Sequence, residues 1–131
     1  MGLKAITEVQ QIFTNAVMSG TTSTSSIISN IKYKDSVAVQ YNWIGNPTGT
    51  FTIQGSLDYN PGLPQTQGLS GGPANGSWNA ITLTPSPATS SGSATYLVNM
   101  NQLAFPYIQT IYTNSTGSGV LNAYIFAKSL G

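Results

Sequence analysis

The sequence predicts an all-β fold, an antiparallel β-sandwich of jelly-roll type with about eight strands. Apolar residues recur at every second position over much of the chain, as they do where a strand turns one face to a core. Clusters of Gly, Pro, Asn, Ser and Thr punctuate those runs at short intervals. No internal repeat is evident, which disfavours a solenoid or a propeller. At 131 residues the chain reads as one domain, long enough to bury a full core without disulfides or metals.

Residues 1–26 read as an N-terminal extension or docking segment, and 27–131 as the sandwich domain. Within the extension, Val9, Ile12, Phe13 and Val17 break strict period two over Glu8 to Met18, so strand and short helix are both open there. The next runs are Ile27 to Tyr33 and Ser36 to Ile44. In the second, Val37, Val39, Tyr41 and Trp43 share one face, and Ala38, Gln40, Asn42 and Ile44 the other. Asn46-Pro47-Thr48-Gly49 is a turn, because proline presets φ and glycine accepts a positive one. Thr50 to Asp58 follows, with Phe51, Ile53 and Leu57 inward, and is expected to form a hairpin with the preceding run. A long loop over 60–77, rich in Gly and Pro, is either a floppy excursion or an arm anchored on a neighbouring subunit by Leu63 and Leu69. Trp78 to Thr84 resumes as a strand until Pro85 and Pro87 stop it, since proline cannot donate to a ladder. Ala94 to Met100, Tyr107 to Thr113 and Val120 to Lys128 complete the set, the last two reading as a hairpin across a Gly/Ser/Thr turn.

That final strand is apolar on both faces. Leu121, Ala123 and Ile125 line one side, and Tyr124 and Phe126 the other, whereas a strand with a single core needs one apolar face. The second face is expected to meet another protein. Of the aromatic residues, Trp43, Phe51, Trp78 and Tyr112 are expected in the core, and Tyr107, Tyr124 and Phe126 outside. A one-residue slip would exchange Tyr107, Gln109 and Ile111 with Ile108, Thr110 and Tyr112.

Composition narrows the function. Charged residues make up 5% of the chain, against roughly 25% in an average soluble protein. They are four lysines, Glu8, Asp35 and Asp58, with no arginine. A skin this neutral gives a free monomer little colloidal protection, so the chain is expected to live docked in an assembly. Four scattered lysines cannot neutralise a run of phosphates, which argues against nucleic acid as a partner. No run approaches the roughly 20 apolar residues of a membrane span, and Glu8, Gln10 and Gln11 interrupt any signal-peptide core after Lys4. Met-Gly at the start lacks the Ser/Thr of a myristoylation motif, Ile6 standing there instead.

Enzyme chemistry has little to work with. Without histidine or cysteine there is no imidazole base, no thiol nucleophile, no soft metal site and no disulfide. A hydroxyl nucleophile would have lysine as its only candidate base. Asp35 and Asp58 sit at strand ends, where a carboxylate commonly accepts from local backbone N–H groups, and a calcium site draws on more ligands than they supply. No catalytic residue, cofactor or metal is expected. Asn75-Gly76-Ser77 and Asn114-Ser115-Thr116 match a glycosylation sequon by chance in a chain so rich in Asn, Ser and Thr.

An ordered set of residues carries a resemblance. Trp43, Gly45, Pro47, Gly49 and Phe51 are followed by Trp78, then by Asn101, Gln102, Phe105, Pro106 and Ile108, then by Gly117, Gly119, Leu121, Asn122 and Ala123. From Val37 to Lys128 the chain resembles a family of small structural proteins of tailed bacteriophages, similar in size and composition to capsid decoration, or cement, proteins. Relatives often carry Arg where this chain has Gln109, which implies a different contact there. The resemblance implies a β-sandwich or jelly roll without enzyme activity. It implies a location on the virion, at the capsid surface, after synthesis in the host cytoplasm without a signal peptide. The expected partners are the major capsid protein and further copies of the chain, as a dimer or trimer, with no nucleic acid and no membrane. The alternative is a carbohydrate-binding or host-adhesion module on a head fibre or tail, using exposed tyrosines.

Overall fold

Period-two alternation buries one face of a strand only if its backbone groups pair laterally with other strands. A computed structural model describes residues 9–34, 36–61, 76–83, 87–89, 92–101 and 103–129, and these form nine strands. They are β1 (Gln10–Met18), β2 (Ser23–Ser25), β3 (Ser29–Asn30), β4 (Ser36–Gly45), β5 (Thr48–Ser56), β6 (Asn79–Ala80), β7 (Ala94–Asn101), β8 (Tyr107–Thr116) and β9 (Gly119–Lys128). One sheet has the order β1-β9-β4-β7 and the other β2-β8-β5-β6, with β3 also on β8. Every pairing is antiparallel.

If β2 and β3 are taken as one interrupted strand, the first strand pairs with the last, the second with the seventh, the third with the sixth and the fourth with the fifth. A long ribbon rolled up on itself has this pairing, and it defines the jelly roll among two-sheet sandwiches. The core between the sheets is built from Val37, Val39, Tyr41 and Trp43 of β4, Phe51 and Ile53 of β5, Ile108 and Tyr112 of β8, and Leu121, Ala123 and Ile125 of β9. Phe51 is its hub. Its ring stacks on Tyr41 at 3.9 Å and lies 5.0 Å from Tyr112 and 5.8 Å from Trp43.

Several expectations need correction. β4 and β5 do not form a hairpin, nor do β8 and β9, because each pair crosses from one sheet to the other. Both connections turn at the same end and interlock there. The Asn46 N–H donates to the Ser118 carbonyl at 3.0 Å, Gly117 takes φ +74°, and a Cβ on it would land on the Asn46 carbonyl oxygen. From Gln10 on, the expected extension belongs to the sandwich: β1 pairs with β9, β2 with β8, and Ile12, Phe13 and Met18 enter the core. Period two fails in β1 because of two register shifts, between Gln11 and Phe13 and between Phe13 and Ala16, with Asn15 at φ 48°. Ile12 and Phe13 can therefore both be buried. The strand expected over 27–33 shrinks to Ser29–Asn30, and Tyr33 takes φ 65°. Of the strand expected over Trp78 to Thr84, the described residues keep two in a ladder, Asn79 and Ala80. Leu57, expected inward, lies beyond the end of β5 and is exposed.

Candidate docking surface

The two sheets differ in what covers the face turned away from the core. On the β8 sheet the chain covers part of that face itself. Tyr107 projects outward opposite Ser56, yet Tyr59 meets it edge-on at 4.9 Å and the Lys32 Nζ sits 5.3 Å over its ring. Tyr107 is thereby only 6% exposed, so the expectation of a free exterior tyrosine is corrected. Trp78 packs on Tyr59 at 5.6 Å, beside this cluster and outside the core. Gln109, where the resembling family often has Arg, is buried and donates its Nε2 to the Gln54 Oε1 at 2.9 Å. That face presents no charged contact at position 109.

The outer face of the β1-β9-β4-β7 sheet is open among the described residues, and register places its side chains in rows across the strands. Val17, Val120 and Ile44 form an apolar row. Asn122, Asn42 and Thr95 form a polar one. Gln11, Tyr124, Gln40 and Leu97 make a mixed row, and Phe126, Ala38 and Asn99 another. Val17, Ile44 and Leu97 are among the most exposed large apolar side chains, while Tyr124 and Phe126 are half-buried among their neighbours. Both aromatic residues lie on the face expected of them. A shallow depression of about 350 Å³ opens between Ala38, Leu97, Asn99 and Phe126.

The amides of Gln11, Gln40, Asn42 and Asn122 on this face are engaged with neighbouring side chains. Gln11 Nε2 and the Asn15 backbone N–H both donate to Asn122 Oδ1 at 2.9 Å. Gln40 Nε2 donates to Thr95 Oγ1 at 3.2 Å, and Thr95 Oγ1 donates to Asn42 Oδ1 at 2.6 Å. Such pairing lowers the cost of covering the face, since a buried polar group is expensive only when left without a partner. Lys128 at the rim is the charged residue among the described residues of this face.

Elsewhere the chemistry is local. Asp58 accepts from the Ser77 N–H at 2.7 Å and the Ser56 hydroxyl at 3.0 Å, and these bonds hold its carboxyl below the usual range. It acts as a turn carboxylate at the mouth of a second depression of about 580 Å³, lined also by Leu57, Ile81, Ala104 and Phe105. Ser29 and Lys32 have the spacing of a serine–lysine pair. Ser29 is buried opposite Ile108 on the core side, however, and the lysine lies over Tyr107 on the other side of the sheet. Asp35, Leu63 and Leu69 lie outside the described residues. No family model matches the chain, and a comparison with curated proteins returned no significant relative.

Proposed function

We propose that this chain is a non-enzymatic virion structural protein of a tailed bacteriophage. It decorates and stabilises the capsid by binding the outer surface of the major capsid protein. The observation that carries this reading is the outer face of the β1-β9-β4-β7 sheet, with an apolar row, aromatic and leucine side chains in the mixed rows, mostly engaged amides and a lysine at the rim. Covering such a face gains roughly 25 cal/mol per Å² of apolar area without desolvating ion pairs. Viral capsid proteins and lectins both use the jelly roll, so the fold alone does not choose between them. The amides do favour one. A sugar would need free donors and acceptors beside an open ring, and here Tyr124 and Phe126 are half-buried and the amides flanking Tyr124 are engaged, Gln11 with Asn122 and Gln40 with Thr95. The pattern running from Trp43 to Ala123 supports the same choice.

Quantitative mass spectrometry of purified particles tests the reading. Copies comparable in number to the shell subunits are expected. A few copies per particle would favour a fibre or tail adhesin, which a glycan array would then examine, and absence from the particle would overturn the proposal.

A further inference from the structure

We propose that two copies of this chain pair edge to edge through β7, antiparallel about a two-fold axis normal to the sheet, with Leu97 opposite Leu97. An edge strand carries a row of backbone N–H and C=O groups open to pairing with another chain, and natural sheets blunt such rows with bulges, charges, proline or brevity. Among the described residues, three of the four lateral edges of the two sheets are blunted. β1 is shifted in register twice and holds Asn15 at positive φ. β2 and β3 offer three and two residues, and β6 offers two. β7 differs. Its eight residues follow β4 in unbroken register, from Trp43↔Ala94 to Ser36↔Asn101. It contains no charged residue, no proline and no glycine. Among the described residues β4 is its strand partner, and β7 ends the sheet.

A second copy suits this edge. Antiparallel partners share a face, so an axis at Leu97 sets Thr95 against Asn99 outside and Tyr96 against Val98 inside. The first pair can share a hydrogen bond, and the second is an aromatic–β-branched contact of the kind that stabilises sheets. Leu97, 65% exposed in the single chain, is covered by its own counterpart. A net charge of +1 offers little repulsion between copies. The joined sheet has eight strands and sets two copies of the docking face side by side.

This inference does not rest on the virion reading, because the purified full-length chain tests it. Light scattering across the micromolar range is expected to give a dimer. Leu97→Lys, which opposes two charges at the axis, is expected to give a folded monomer. The natural chain has no cysteine, so Leu97→Cys reports the register directly. Residues opposed across antiparallel strands have Cα atoms about 4.5–5.5 Å apart, within disulfide range, and mild oxidation should give a covalent dimer. Ile44→Cys, exposed on the same face but on the inner strand β4, should not crosslink. A wild-type monomer overturns the proposal and leaves the edge to a strand from another protein. Leu97→Cys crosslinking no faster than Ile44→Cys overturns it as well.

Discussion

Tyr41 gathers much of the polar chemistry of the core in one hydroxyl. Its oxygen lies 2.7 Å from Thr110 Oγ1, which itself donates to the Thr52 carbonyl at 3.0 Å, so the tyrosine must supply the proton between them. Burial drives this phenol far above the ordinary tyrosine range, and the Thr110 bond offsets only part of that. A raised folded-state value means that stability is fully present below about pH 10 and is lost as pH rises beyond it. Tyr41→Phe keeps the ring stack and should cost about 1 kcal/mol in urea at neutral pH. It should also flatten part of the alkaline loss of melting temperature, leaving the share due to Tyr112, which burial raises too. Two glycines separate backbone conformation from crowding. Gly92 has φ +77° with open space around it, whereas Gly117 has φ +74° against the Asn46 carbonyl. Gly92→Ala should cost about 1 kcal/mol, and Gly117→Ala at least about 1 kcal/mol more, in the same denaturant titration.

At the scale of elements, β9 shows what a surplus of apolar side chains means. If the proposed docking holds, Phe126→Ser on its outer face should leave the fold intact and lower particle occupancy about tenfold, read from the protein bound to purified capsids at fixed concentration. The faces of β4 and β9 were legible in the sequence because alternation states which residues lie together. Tyr124 and Phe126 stood out for the same reason. Alternation does not state whether the next strand lies beside its neighbour or across the core. Phe51 faces Tyr41 equally well from the opposite sheet, and both expected hairpins fail on that point. β1 was ambiguous because its bulges erase the period the reading relies on. The cover of Tyr107 has no local signal, because Tyr59 and Lys32 come from segments far away in the chain. The place of β7 at the end of its sheet among the described strands had no local signal either, since an edge is a property of the assembled sheet.

For the whole molecule, sparse charge sets the response to solvent. An attachment that relies on apolar area and backbone pairing is not screened by salt. Washing particles in strong salt should leave the chain bound, and its release there would sink the proposed mode of docking. The topology has a consequence of another kind. β9 lies between β1 and β4, in the interior of its sheet, although it is the last of the described strands to leave the ribosome. Until residues 119–128 emerge, β1 lacks its only ladder partner among the described strands, and the core side of β4 lacks Leu121, Ala123 and Ile125. Stopping synthesis after Ser118 should therefore yield a protease-sensitive product, and adding a peptide of residues 119–128 in trans should restore resistance. In this sandwich the first sheet closes only once β9 is present, so its strands cannot be completed in the order of the chain.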